Sequence, residues 1–247
     1  MEEVIKRNRE FMKSNFVSLS DITTDQKSGI PFPNIKKEID SNEIIKLPEF
    51  SQEIISQINF LEIVKNRKSR REYNNHSMSL EELSFLLWST QGVKEIVRGG
   101  IASFRTVPSG GARHPFETYL VVQNVDSLKQ GLYRYLPFEN SLLFIEQIEN
   151  IKENLSDALK GQKWSEKSSV CFFWTCIPYR SEWRYSIASH KTMLLDAGHI
   201  CQNLYLACES IGYGTCAIAA YDQIKSDKLL KVDGENEFTV YISPVGK

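Results

Sequence analysis

Four stretches of the chain hold residue types whose spacing could do chemistry. In RTVPSGGARHP, residues 105–115, two glycines follow a serine and precede two basic side chains, all between prolines. Gly110 and Gly111 permit backbone angles closed to other residues and let a ligand approach the main chain. Pro108 leads into them, Ser109 can hydrogen-bond a ligand, and Arg113 or His114 can face an anion. The stretch is neither a G-x-G-x-x-G fingerprint nor a P-loop, and a surface turn uses the same letters. In NRKSRRE, residues 66–72, Arg67 and Arg71 stand four apart and would share one face of a helix, with the Ser69 hydroxyl nearby. Forked guanidinium groups match phosphate oxygens through paired hydrogen bonds; a solvated basic turn is the plainer alternative.

The third stretch, SEWRYSIASHK (181–191), sets Trp183, Arg184 and Tyr185 side by side. Tyrosine can hold or transfer a proton, and arginine can stabilise developing negative charge. A guanidinium that stays protonated is a poor base. An aromatic surface or interface patch explains the trio as well. In GYGTCAIAAYD (212–222) small side chains leave room for a flat ligand, whose polar edge could meet backbone N–H groups. A tight packing turn would also use these residues. No metal site is expected. His76, His114, His190 and His199 show no established ligand spacing, and the five cysteines contain no C-x-x-C pair.

Periodicity supplies the elements that must position these stretches. NFLEIVKNRKSRREY reads as a helix with Phe60, Ile63 and Val64 inward. The next helix is capped by Ser79 with Glu82 completing a capping box, Met78 as its staple, and Leu80, Leu83 and Leu87 as its stripe. Strands are expected at 117–123, 131–136, 169–176 and 237–246, with Pro244 ending the last or lying at an edge. Helices are expected at 148–160 and 194–212. The second is apolar on more than one face, which suits a central helix buried in the domain or at a subunit interface. The mixture points to α+β or α/β. Residues 1–58 read differently. Pro31 and Pro33 break regular structure, and IIKLPEF offers apolar anchors for an arm against the body.

Composition narrows the function classes. The 247 residues suffice for one large domain or two small ones. Lys and Arg number 30 against 31 for Asp and Glu, which lends no support to a broad nucleic-acid footprint. No apolar run approaches a membrane span or a signal peptide, so a cytoplasmic protein with reduced thiols is expected.

Taken in order, NRKSRRE, RTVPSGGARHP, WRY, LLDAGHICQNLYLA and GYGTCAIAAYD resemble the SagB/ThcOx-type branch of the nitroreductase family. The likeness runs over residues 60–247 and more loosely over the proline-rich lead and LPEF. It implies an α+β, three-layer fold with a central, mainly antiparallel sheet flanked by helices. Residues 1–58 would be an extension and 59–247 an FMN-binding domain. It also implies an intertwined homodimer with flavin at the interface. Carried over by the resemblance, Arg67, Ser69 and Arg71 match the positions that hold the FMN phosphate and ribityl chain. Pro108, Ser109, Gly110 and Gly111 match a loop near the flavin, and Arg113 could reach the phosphate. Ala217, Ile218 and Ala219 fall where backbone meets the reactive edge of the ring, and Lys247 where a basic phosphate contact often stands.

Proteins of this branch oxidise thiazoline or oxazoline rings to azoles, so the resemblance implies hydride transfer from a heterocycle in a peptide or small natural product to flavin N5. One departure stands out. The branch carries a Lys–Tyr pair ahead of the long helix, and this chain has Arg184 and Tyr185 there. Two alternatives accompany that reading. One is an NAD(P)H-dependent reductase of nitro, quinone or activated-alkene compounds. The other is a non-catalytic component of a heterocycle-forming assembly, with a cyclodehydratase or carrier protein as partner.

Overall fold

Two runs set the centre of the fold. FETYLVV (β4, Phe116–Val122) and VCFFWTC (β7, Val170–Cys176) are buried at every residue, as strands covered on both faces must be. They pair antiparallel along their whole length, Phe116 opposite Cys176 and Val122 opposite Val170. The computed structural model describes residues 1–14, 16–39 and 43–247.

Around this pair stand β1 (Ile44–Lys46), β5 (Gly131–Leu136), β6 (Ser141–Glu146), β8 (Gly214–Thr215) and β9 (Phe238–Gly246). The sheet runs β1-β6-β5-β4-β7-β9-β8, and every neighbouring pair is antiparallel. A separate hairpin joins β2 (Val93–Val97) to β3 (Ala102–Arg105). Strand alternation divides the core. Phe172, Trp174 and Cys176 pack beneath α3 (Leu80–Gln91) and α6 (Ser189–Ser210). Cys171 and Phe173 turn to the other face, against Leu155 of α4 (Ile151–Ala158) and Leu230 of α7 (Gln223–Leu230). The result is the three-layer α+β architecture.

Local chemistry explains the helix ends. Ser79 accepts from the Glu82 N–H while the Glu82 carboxylate accepts from the Ser79 N–H, so the capping box closes. Asn59 caps α2 (Phe60–Asn66) by accepting from Leu61 and Glu62. That helix is much shorter than its sequence pattern suggests, and its inward residue is Ile63 alone. Phe60 is 67% and Val64 48% exposed, because only one face of so short a helix meets the body. Pro244 also departs from expectation, lying inside β9 between two partners. Its missing N–H falls on the β8 side, where its carbonyl accepts from the Tyr73 and Thr215 hydroxyls.

The first residues wrap the body. After α1 (Glu2–Met12) the chain crosses α5 (Tyr179–Tyr185). There Gln26 N–H donates to the Trp183 carbonyl at 2.9 Å, the Trp183 indole donates to Ile30 O at 2.8 Å, and Tyr179 donates to Asp25 at 2.8 Å. β1 then adds to the sheet edge. Among the described residues no helix is long and apolar enough to cross a membrane.

Candidate functional site

The basic stretch is not helical where its chemistry lies. α2 ends at Asn66; Arg67 takes extended angles, and Ser69 bridges to Thr215. In extended chain alternate residues share a side. Arg67 and Ser69 therefore meet the same partner, with Arg67 lying 5.4 Å over the Tyr205 ring and the Ser69 hydroxyl 2.9 Å from the Tyr205 hydroxyl. Arg70 points the other way and closes a two-oxygen pair with Glu209 at 2.7 Å. Arg67 and Ser69 are thus brought to one partner by extended chain and not by a helical turn. Among the described residues neither the Arg67 nor the Arg71 guanidinium has an ion pair.

Tyr205 links this group to the 217–219 segment by accepting from the Ala217 N–H at 2.8 Å. Burial pushes its phenol above the ordinary tyrosine value. Ile218 exchanges both backbone bonds with Ile242 of β9. Ala219 is exposed, and no described residue accepts its N–H. Of the three residues matched to the ring's edge, it alone offers a free donor. Lys247 follows β9, two residues past the Val245 that pairs with Thr215, and lies 3.4 Å from Glu82 and 4.4 Å over the Tyr213 ring.

A second group forms around the glycine loop. Both carboxylate oxygens of Asp196, on α6, accept from the Gly110 N–H at 3.2 Å. Burial raises the Asp196 carboxyl, and bonds from Ser109 and Gly110 oppose that shift. The Ser109 hydroxyl accepts from the His114 N–H at 2.9 Å. Gly111 has φ +63°, and a Cβ there would sit 2.4 Å from the Tyr185 hydroxyl. Glycine is thus required twice, by its angle and by the tyrosine against it. Arg184 lies 5.2 Å over the Tyr185 ring, and Phe16 of the arm meets that ring edge-on at 5.9 Å. Arg113 turns inward, donating to the Arg180 carbonyl at 2.7 Å and to Ile101 O at 3.3 Å. Beside this corner a cavity of about 470 Å³ opens among Phe116, Met193, Leu194, Phe238 and Val240, with the Glu182–His190 pair among its lining residues.

Within one chain the two groups do not converge. Asp196 and Tyr205 are nine residues apart on α6, which puts them about 13 Å apart along the axis and on opposite sides of it. The sequence reading passed over both residues, although LLDAGHICQNLYLA contains them. Their spacing of two and a half helical turns was the available signal.

Residues 64–247 match the model of the nitroreductase family. The chain belongs to that family. It is 30% identical over 203 residues to MJ1384 of Methanocaldococcus jannaschii, a protein named as a nitroreductase, covering 82% of this chain and 96% of the relative. It is 23% identical to the microcin B17-processing protein McbC of Escherichia coli, covering 94% of this chain and 86% of McbC. A nitroreductase-type structure from Exiguobacterium sibiricum, in complex with FMN, shares the fold with a TM-score of 0.55 at 17% identity, covering 77% of this chain and 89% of that one.

Proposed function

We propose that this nitroreductase-family protein binds FMN and works in the reducing direction, taking electrons from NADH or NADPH to a nitro, quinone or activated-alkene substrate. One observation carries the choice of direction. The corner around Gly111 and Tyr185 is rich in donors, and the acid–base groups nearest it are engaged, Glu182 with His190 at 2.7 Å. Arg184 and Arg113 are cations, and Asp196 already holds the Gly110 N–H. Such a corner suits an oxygen that gains negative charge. Its Tyr185 hydroxyl would donate to that oxygen, and Arg184 would stabilise it.

The donor set fits FMN. Arg67 and Arg71, without ion pairs among the described residues, would hold the phosphate, and Ser69 the ribityl chain. The open Ala219 N–H would meet the ring, with Ala217 and Ile218 holding that segment on Tyr205 and β9. When bound, FMN would supply the two-electron chemistry. The glycine loop, Pro108 to Gly111, lies across α6 from these residues, so a second copy of the chain would bring its loop to the ring. Exposed apolar residues support such a homodimer. Phe60, Leu61 and Val64 on α2 and Leu194 and Leu195 on α6 face outward, and nothing lies within 4 Å of a Cβ built on Gly198.

Similarity to McbC supports a second reading, oxidation of a thiazoline or oxazoline to the azole. In that case Tyr185 would assist loss of the C–H proton, and a cyclodehydratase or carrier-protein partner could present the substrate. Product analysis separates the two. FMN-loaded protein is incubated anaerobically with NADPH and menadione, and aerobically with a thiazoline peptide. Consumption of menadione with no two-hydrogen mass loss from the peptide is expected; the reverse pattern overturns the reducing assignment. Protein that takes up no FMN on reconstitution would favour a non-catalytic role.

A further inference from the structure

Positive charge is buried beside Tyr185 without a matching anion. Arg105, Arg113 and Arg180 are all buried, and Glu117 is the carboxylate among them. Glu117 pairs with Arg180 at 2.7 Å, while Arg105 is held by the Gln91 side-chain oxygen at 3.0 Å. His114, in the same cluster, stays neutral because burial and the surrounding arginines hold its imidazole far below the ordinary histidine value. Asp196, the other buried carboxylate nearby, faces Gly110.

Arg113 is the sharpest case. It is 2% exposed, and its Nη2 has no hydrogen-bond partner among the described residues. Its guanidinium lies 5.1 Å over the Trp183 ring, and Arg184, Arg180 and Arg98 are near enough to disfavour its charge while Tyr185 opposes them. Arg98 and Arg184 have no ion pair among the described residues. Two strained loops hold this arrangement. Ala112 and His114 follow Gly111 at positive φ, and Arg98 joins Gly99 and Gly100 there at the tip of the β2–β3 hairpin. Non-glycine residues in the left-handed region cost stability and gather where a ligand is gripped. A buried donor left unpaired is costly as well.

We propose that Arg113, Arg184 and Arg98 form a receptor for a carboxylate carried by the substrate, next to Tyr185. Guanidinium forks match a planar carboxylate, and the site would select acids over their neutral analogues. This rests on the proposed function only in taking the Tyr185 corner as the place where substrate reacts. The FMN phosphate is the rival oxyanion, and Arg67, against Tyr205, lies across α6 to meet it.

Titration calorimetry with hippurate and its uncharged amide, hippuramide, tests the proposal on protein with and without FMN. Hippurate should bind about tenfold more tightly than hippuramide, as a charge-assisted pair implies. Arg98→Gln lies on an exposed hairpin tip and leaves the core untouched. It should remove most of that preference while FMN affinity stays within about twofold. Equal binding of the two probes, binding of neither, or an unchanged preference in Arg98→Gln overturns the receptor. So does a variant that loses FMN in place of hippurate, which would assign the anion to the phosphate. A preference for hippurate in protein that NADPH cannot reduce would sink the functional reading and leave the receptor standing.

Discussion

Asp196 and Tyr205 stand on opposite sides of α6, and each holds the backbone of a different candidate stretch: Asp196 the Gly110 N–H, Tyr205 the Ala217 N–H. One rigid helix thus sets the geometry of both groups. If two copies complete each site, each group can be spoiled separately. Arg67→Ala/Arg71→Ala chains and Tyr185→Phe chains should both be weak alone. Mixed by co-expression, they should recover about a quarter of wild-type turnover, because about half of the dimers are mixed and one of the two sites in each is intact. Recovery to no more than the mean of the two parents contradicts the shared site.

Gly111→Ala attacks the loop directly. The alanine must hold φ +63° and press its Cβ onto the Tyr185 hydroxyl. We expect about 1–2 kcal/mol of lost stability and at least about tenfold slower turnover through the displaced tyrosine. Denaturant unfolding and steady-state rates measure the two parts. An unaltered rate would detach Tyr185 from the chemistry.

Arg67→Ala and Arg71→Ala should each weaken FMN binding by about ten- to a hundredfold, since a charge-assisted bond to phosphate contributes about 1.5–3 kcal/mol. Riboflavin, which lacks the phosphate, should bind the variants and the wild type alike. Fluorescence titration reads both. Equal losses for both flavins would mean that the arginines do not hold the phosphate.

His114 gives the fold a pH signature. Burial first, then Arg105, pushes its imidazole from the ordinary 6.5 down to about 3. Between those values the unfolded chain binds a proton that the native protein refuses. The stability from neutral His114 is therefore full above about pH 6.5 and drains away as pH falls toward 3. His114→Asn, which tolerates the positive φ, should flatten that slope in urea melts across the window. Parallel wild-type and variant curves would contradict it.

Much of this was legible in the sequence because periodicity and capping are local. The Ser79–Glu82 box, the buried 169–176 strand and the long apolar helix all follow from neighbouring residues. Arg67 and Arg71 were grouped as neighbours on a helix, but α2 ends at Asn66, before either of them. Two arginines four apart share a side in a helix and also in extended chain, and only the bridge from Ser69 to Thr215 decides between them. Phe60 and Val64 were read inward because a short amphipathic pattern does not reveal which face will be left for another surface. Tyr205, Asp196 and the Phe16–Tyr185 contact depend on partners far along the chain, which no local pattern encodes.

The central claim is an FMN-dependent reductase. An anaerobic absorbance spectrum of the purified, FMN-reconstituted protein, before and after addition of NADH or NADPH, tests it most directly. The account predicts a bound-flavin spectrum that bleaches rapidly on addition of one of the two nucleotides. A bound flavin that neither nucleotide bleaches would contradict it and turn attention to the heterocycle oxidase.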